Sequence, residues 1–185
     1  MTRRGEWEVA TLCKAVTALP FTEWCGCVWR IHRTKYRATD PSGSLLVSGR
    51  YNKGADIFPP EERWPALYTA TAPDIALAEA WRYINPNFID AIKSAVRSEI
   101  RVRLSLVLDC RDVAAVGIGE ELLLDDWNYD AGHVLGRAAV DRGTEAILVP
   151  STTRLGDILV VFTDNLRPSS HLTSMRSEQL SHLRR

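Results

Sequence analysis

The sequence predicts a single α+β domain, and three observations point to this class. The chain has 185 residues, of which 45% are hydrophobic, which suffices for one core and little more. Short segments rich in β-forming residues lie before and after a central helical stretch. Strands and helices do not alternate regularly along the chain, as they do in a doubly wound parallel sheet. The sequence therefore favours α+β over α/β architecture.

The first third of the chain predicts one helix and three short strands. Apolar residues at helical spacing fill residues 5–19, and Pro20 ends this helix. Segments rich in β-forming residues then predict strands at residues 24–33, 45–51 and 66–70. Two loops separate these strands, at residues 36–44 and 52–65. The second loop is long for a compact domain, and loops of that length are often functional.

The middle of the chain predicts two helices and a longer strand. Pro73 lies in the first turn of a helix that begins near Thr71 and stops before Pro86. A second helix is predicted over residues 88–98. Apolar and polar residues then alternate over residues 100–108, which is typical of a half-buried strand.

The last third predicts one helix, two strands and a polar tail. The helix covers residues 131–141 and ends before Gly143. Apolar runs predict strands at residues 145–149 and 157–162. From Pro168 onwards the chain is rich in Ser, Arg and His. We therefore expect three parts, which are a helical extension over residues 1–24, a main domain over residues 25–166 and a tail over residues 167–185.

Charge and hydropathy argue against two classes of function. Lys plus Arg and Asp plus Glu both number 23, whereas a general nucleic-acid binder needs an excess of basic charge. The sequence has no signal-peptide stretch and no run near the roughly 20 apolar residues that span a bilayer. We therefore expect a cytoplasmic protein that binds neither membranes nor, directly, nucleic acid.

The four cysteines do not predict a metal or redox site. Cys25 and Cys27 are separated by one residue, not by the two of a redox motif or a zinc knuckle. The other two are Cys13 and Cys110, and no His or Cys pair lies nearby at ligand spacing. Buried free thiols are the simplest interpretation, and we expect no metal. The glycine motifs of phosphate loops and dinucleotide-binding folds are also absent from the sequence.

Several polar residues stand where predicted elements meet loops, and each has two interpretations. These residues are Arg30, Arg50, Tyr68, Glu79 and Ser151. An arginine in a strand usually lies at a solvated edge, and a strand tyrosine usually belongs to the core. Glu79 lies opposite the apolar arc formed by Leu77, Ala80, Trp81 and Ile84 on its helix. There it either pairs with Arg82 at the surface or faces a cleft, and the helical pattern leaves both open.

Several separated motifs, taken together in order, resemble the RES-domain family. They read WRIH, DPSGS, SGRYNKG, LYTATAPDIALAEAWR and GTEAILVPSTTRLGDILVVF, and they span residues 27–165. Members of this family are bacterial toxins, usually encoded beside an Xre-type antitoxin, and are similar in fold to ADP-ribosyltransferase toxins. The resemblance thus implies an ADP-ribosyltransferase-like α+β fold, with short-stranded mixed or antiparallel sheets and flanking helices. The middle part, residues 25–166, is the implied RES domain.

The resemblance also implies an enzyme that consumes NAD, and it implies the residues of its site. The implied catalytic residues are Arg30, Glu79 and Ser151, and the implied substrate-binding residues are Arg50, Asn52 and Tyr68. NAD is the substrate rather than a bound cofactor, inorganic phosphate is the expected co-substrate, and an Xre-type antitoxin is the expected partner. Whether the chain forms a homo-oligomer is left open. The chain departs from the family at Tyr51, where a tryptophan is common, and in its long loop.

These residue types suit cleavage of the nicotinamide–ribose bond. That cleavage builds positive charge on the ribose, which a carboxylate at Glu79 stabilises. Arg30 and Arg50 suit phosphate oxygens, because guanidinium groups bind them in a bidentate fork. Transfer to phosphate is the favoured outcome, while a glycohydrolase, an ADP-ribosyltransferase acting on a macromolecule and a non-enzymatic interaction domain stay open. In the long loop at residues 52–65, which we expect at the rim of the cleft, Trp64 is either an exposed anchor for the antitoxin or part of the core.

Overall fold

A six-stranded mixed sheet forms the centre of the protein, in a computed structural model that describes residues 8–83 and 94–180. The strands are β1 (Phe21–Arg33), β2 (Leu67–Ala70), β3 (Ala95–Asp109), β4 (Ala146–Pro150), β5 (Asp157–Val161) and β6 (His171–Gln179). Their order in the sheet is β1-β2-β5-β4-β3-β6. β1 also pairs with β3, so the pairings run round from β1 through β2, β5, β4 and β3 back to β1. The β3–β4 pair is parallel and the other pairs are antiparallel.

Five α-helices accompany this sheet in the part of the chain that the structure describes. They are α1 (Val9–Ala18), α2 (Ser42–Leu46), α3 (Pro73–Tyr83), α4 (Glu120–Leu123) and α5 (Asp130–Asp141). None of the described helices is long and apolar enough to cross a bilayer. The α+β class with a mixed sheet and flanking helices, as the sequence predicts, is confirmed.

Two apolar clusters make up the core, one on each face of the central strands. The first includes Leu12 of α1 and Leu135 of α5, with Ile147 from β4. The second includes Leu148 from the same strand. Both residues of β4 are buried because this strand is covered on both faces, which explains its uninterrupted apolar sequence. The long β3 instead alternates buried and more exposed residues, as predicted from its pattern.

Two predicted elements, at residues 45–51 and 88–98, differ from the structure. The predicted strand at residues 45–51 is absent, because α2 and a tight turn occupy this segment. The Asp40 carboxylate accepts a hydrogen bond from the Ser42 amide at 2.8 Å, and such local bonds compete with strand pairing. The predicted helix over residues 88–98 lies partly outside the described residues. Its last four positions belong to β3, where pairing with β1 overrides the local preference.

The predicted polar tail is also wrong over residues 171–179. This segment is β6, which pairs antiparallel with β3 at an outer edge of the sheet. Most of its side chains are exposed, so the sequence carries no apolar alternation that would indicate a strand. The cysteines differ in part from expectation as well. All four are free, but only Cys110 is buried, and burial raises the pKa of its thiol to about 12.

Candidate active site

A cleft of about 290 Å³ opens between β1, β2 and α3, and it gathers four of the predicted site residues. Arg30 lines it from β1, Tyr68 from β2, Glu79 from α3 and Arg50 from the turn after α2. Ser151 and Asn52 do not line it, because both are fully buried behind this wall. In the described ranges, no group of three or more His, Cys, Asp or Glu residues is placed to hold a metal ion.

Glu79 faces the cleft rather than open solvent. Ile75 and Ala76 are the buried residues of α3, while Trp81, which the helical pattern assigned to the apolar arc, is 41% exposed. The buried side of α3 is therefore rotated from the predicted one. Glu79 lies three residues after Ala76, and both residues line the cleft. The surface pair of Glu79 with Arg82 does not form, because the Arg82 side chain instead donates to the Thr152 carbonyl at 2.7 Å.

The Glu79 carboxylate is held in place by the turn after β4. Its Oε1 accepts hydrogen bonds from the Ser151 hydroxyl at 2.5 Å and from the Thr152 amide at 2.8 Å. The Thr152 hydroxyl lies 3.0 Å from both carboxylate oxygens. Several hydrogen bonds from one turn fix the direction of the carboxylate. The cleft wall thus carries a carboxylate of fixed orientation.

Ser151 supports Glu79 from behind. The Ser151 hydroxyl also lies 2.6 Å from the Thr153 hydroxyl, and the Ser151 amide donates to the Gly156 carbonyl at 2.8 Å. The turn that makes these contacts passes through Arg154, whose φ of 59° lies in the left-handed region. Since the hydroxyl is fully buried and bound on both sides, it acts on the cleft through the carboxylate.

Arg30 brings a partly buried cation to the part of the cleft wall that β1 forms. Its Nη1 donates to the carbonyl oxygens of Ala38 at 2.8 Å and Asp40 at 2.7 Å. Burial lowers the pKa of the Arg30 guanidinium to about 10, so the group remains protonated at neutral pH. Two carbonyl partners aim the guanidinium, and the residue lines the cleft. Arg30 is therefore not a solvated edge residue, and its role in binding an anion stays a prediction.

Arg50 is almost completely buried, with 5% of its surface exposed. Its Nη1 donates to the carbonyl oxygens of Leu123, at 2.8 Å, and Asp125. Its guanidinium carbon lies 4.8 Å from the centre of the Tyr129 ring. The sequence predicted Arg50 in a strand. In the structure it lies in the turn closed by the Gly49–Asn52 bridge.

Two glycines of α5 allow the Arg50 turn to approach the helix. A Cβ atom on Gly132 would lie 2.2 Å from the Arg50 carbonyl oxygen. A Cβ atom on Gly136 would lie 2.3 Å from the Tyr51 carbonyl oxygen. The two glycines are four residues apart and share one face of the helix. This close contact fixes the position of the Arg50 turn against α5.

Tyr68 and Asn52 form a second supported pair. The Tyr68 hydroxyl donates to the Asn52 Oδ1 at 2.9 Å and accepts from the Tyr51 amide at 2.8 Å. A Cβ atom on Gly49 would lie 2.6 Å from this hydroxyl, so glycine is needed there. The Tyr68 ring faces the cleft and also stacks on Tyr51, with 6.4 Å between ring centres.

Most of the chain matches a known protein family. The family model described as "RES domain" matches residues 27–181, which is most of the sequence. The protein belongs to the RES-domain family. A comparison with curated protein sequences gave no match.

The fold of this RES domain is also similar to a solved structure. A chain in the crystal structure of the M. tuberculosis MbcT–MbcA toxin–antitoxin complex superposes with a TM-score of 0.73. The two chains are 19% identical, and the match covers 91% of each. At this identity the likeness shows the fold alone.

Sequence reasoning missed two residues that line the RES-domain cleft, Thr152 and Tyr129, and one that contacts Arg50 beside it, Asp126. Thr152 holds Glu79 through its amide and hydroxyl, and its position directly after Ser151 was the available signal. Tyr129 faces Arg50 across the cleft wall, and no pattern in the sequence indicates it. Asp126 contacts Arg50 from the loop after α4. Trp64, left open between surface and core, is buried and donates to the Tyr51 carbonyl at 2.9 Å.

Proposed function

We propose that this protein is a toxin that cleaves the nicotinamide–ribose bond of NAD and transfers the ADP-ribosyl group to inorganic phosphate. The observation that carries the proposal is the Glu79 carboxylate, held by Ser151 and Thr152 on the wall of a cleft that also contains two arginines. A fixed carboxylate beside cationic side chains suits a substrate that develops positive charge at the ribose and carries phosphate groups elsewhere.

In the proposed reaction the nicotinamide nitrogen leaves with the electrons of its bond to the ribose C1 atom. The positive charge of the pyridinium ring passes to the ribose, where Glu79 stabilises it. A phosphate oxygen then forms the new bond to C1, which gives free nicotinamide and a phosphorylated ADP-ribose. Water as the acceptor gives ADP-ribose instead. NAD is consumed in either case, so it acts as a substrate.

The remaining cleft residues are assigned to binding and positioning. Arg30 and Arg50 hold phosphate oxygens, and the Tyr68 ring offers a flat apolar face to the nicotinamide. Ser151 positions Glu79, and Asn52 positions Tyr68, since both residues are buried and bound to the side chain that they support.

We further propose that an antitoxin protein, of the Xre type usual in this family, binds this chain and restrains it. The support is the family membership and the similarity to a chain from a toxin–antitoxin complex. A toxin that drains NAD from its own cell must be held inactive until it is released. Induced expression of the chain alone is expected to stop growth, and a Glu79→Gln variant expressed to the same level is expected to permit it.

Product analysis tests the enzymatic proposal. The purified protein is incubated with NAD with and without phosphate, and nicotinamide and the ADP-ribosyl product are identified by mass spectrometry. Phosphate-dependent formation of phosphorylated ADP-ribose is the expected result. ADP-ribose alone would identify a glycohydrolase, a labelled macromolecule would identify an ADP-ribosyltransferase, and no nicotinamide release would leave an interaction domain.

A further inference from the structure

The Asp126 carboxylate joins two arginines, of which Arg50 lines the cleft and Arg82 is bound to the cleft residue Thr152. Its Oδ1 lies 3.5 Å from Nη2 of Arg50, and its Oδ2 accepts a hydrogen bond from Nη2 of Arg82. The three residues come from different segments, which are the turn after α2, the last turn of α3 and the loop after α4. One carboxylate is thus shared by two guanidinium groups.

Arg50 has donor capacity that this contact does not use. Its Nη2 atom is buried and has no hydrogen-bond partner among residues 8–83 and 94–180. The 3.5 Å separation from Asp126 is longer than an ordinary charge-assisted hydrogen bond. A buried donor without a partner is unfavourable, and a closer oxyanion would satisfy it. Arg50 lines the cleft, and the half-exposed Asp126 carboxylate lies next to its Nη2, so an oxyanion that takes the place of Asp126 would meet this donor.

Arg82 is fixed beside the proposed reacting group. Its Nη1 donates to the Thr152 carbonyl at 2.7 Å, and the amide and hydroxyl of Thr152 bind the Glu79 carboxylate. One residue therefore bridges Arg82 and Glu79. The Nη2 of Arg82 contacts Asp126 Oδ2, while the buried Nη2 of Arg50 lies 3.5 Å from Oδ1 of the same carboxylate.

Asp126 is held more loosely than the residue before it. The Asp126 side chain is 49% exposed, whereas the Asp125 carboxylate accepts hydrogen bonds from the amides of Trp127 at 2.7 Å and Asn128 at 2.9 Å. Half-exposed ion pairs contribute little free energy, so Asp126 can turn into solvent at small cost. The backbone bonds that anchor this loop to Arg50 do not involve the Asp126 side chain.

We propose that Arg50 and Arg82 form a subsite for a phosphate group, and that the Asp126 carboxylate fills it until phosphate displaces it. A phosphate group offers more oxygens and more charge than a carboxylate, and two guanidinium forks suit it better. The phosphate belongs either to the diphosphate of NAD or to the inorganic phosphate that accepts the ADP-ribosyl group. The proposal rests on the proposed function for its choice of ligand, and Arg82 becomes a further binding residue of the same cleft.

Calorimetric titration tests the subsite without any turnover. ADP-ribose, which carries the diphosphate, and inorganic phosphate are titrated separately into the wild-type protein and into Asp126→Asn and Arg82→Gln variants. Asp126→Asn removes a competitor and is expected to tighten binding by about 2- to 5-fold, the scale of an exposed ion pair. Arg82→Gln removes a charged donor and is expected to weaken binding by about 10-fold or more. The titrant whose affinity changes identifies the source of the phosphate.

A second Arg–Asp pair supplies the matched controls. Arg137 and Asp141 form an exposed ion pair on α5, and neither residue lines the cleft. Arg137→Gln and Asp141→Asn are expected to leave both affinities unchanged. Circular dichroism of every variant checks that it is folded. If Arg82→Gln unfolds, the Asp126→Asn variant still tests the subsite.

Two results would overturn the subsite. One is that both titrants bind the two variants as they bind the wild type, or do not bind at all. The other is that Asp126→Asn weakens binding, which would make Asp126 part of the site rather than a competitor. Because binding is measured directly, the expected pattern in a protein that fails to cleave NAD would refute the proposed function and leave the subsite standing.

Discussion

The Ser151 hydroxyl donates a 2.5 Å hydrogen bond to the Glu79 carboxylate, although the two residues are 72 positions apart in the chain. Glu79 lies on α3 and Ser151 lies directly after β4, so the contact ties the helix to the end of the central sheet. Thr152 adds its amide and hydroxyl to the same carboxylate. The proposed role of Ser151 is therefore to position Glu79.

Replacing Ser151 with alanine is expected to lower kcat by roughly 10-fold, while the KM for NAD stays within about 2-fold of the wild-type value. The carboxylate loses one of its donors and with it part of its fixed orientation, which matters most in the transition state. Steady-state NAD kinetics measure both constants, and urea unfolding measures the accompanying loss of stability. A KM that rises while kcat is unchanged would instead place the Ser151 hydroxyl on the substrate.

The two cleft arginines are expected to tolerate lysine poorly. Lysine keeps the charge but loses the planar fork, and each lost charged hydrogen bond costs about 1.5–3 kcal/mol. Arg50→Lys is expected to raise the KM for NAD, and Arg30→Lys is expected mainly to lower kcat. Kinetics with NAD and phosphate varied separately check the two variants. Wild-type constants in both would show that neither guanidinium binds substrate.

Gly132→Ala tests the close contact between α5 and the Arg50 turn. The added methyl group would meet the Arg50 carbonyl oxygen at 2.2 Å, so either the helix or the turn must move. We expect a loss of about 1–3 kcal/mol in the free energy of unfolding and a raised KM for NAD. Gly43→Ala is the matched control, since a Cβ atom there has nothing within 4 Å. Equal stability of the two variants would contradict this packing.

Stability is expected to fall as the pH drops below about 6.5, in part because of His133. Burial lowers the pKa of its imidazole below the ordinary value of 6.5, and its Nε2 lies 2.9 Å from the Gly49 carbonyl. Below pH 6.5 the imidazole therefore binds a proton more readily in the unfolded chain than in the folded protein, so acid favours unfolding. Burial lowers the pKa of His32 in the same direction.

Urea unfolding between pH 7.5 and 5.5 measures this dependence. A His133→Gln variant is expected to lose stability less steeply over that range than the wild type, with His32 supplying the remaining slope. An unchanged slope in the variant would show that His133 takes no part.

Local signals in the sequence predicted the elements that carry the site. Pro73 marks the start of α3, and apolar runs mark β4 and β5, because helix ends and buried strands depend on nearby residues. β6 was not predicted, because an exposed edge strand has no apolar pattern. The segment at residues 45–51 misled because its apolar residues are exposed, as Leu46 at 59% and Val47 at 61% show.

The candidate site was predictable from motif order but not in its geometry. Glu79 and Ser151 were both indicated, yet nothing in the sequence says that one binds the other. Such contacts between distant segments depend on the sheet order, and so do the contacts of Arg50 with residues 123–126. The helical pattern misplaced the buried side of α3 because it counted Trp81 as buried, whereas Ile75 and Ala76 face the core.

Release of nicotinamide by a Glu79→Gln variant tests the central claim most directly. Glutamine keeps the size of the side chain and an oxygen that can accept from Ser151 and Thr152, but it removes the negative charge. The variant is expected to fold like the wild type and to release nicotinamide from NAD at least roughly 100-fold more slowly, the scale of one transition-state electrostatic contact. A folded variant that releases nicotinamide at the wild-type rate would contradict the assignment of Glu79 and with it the proposed chemistry of this cleft.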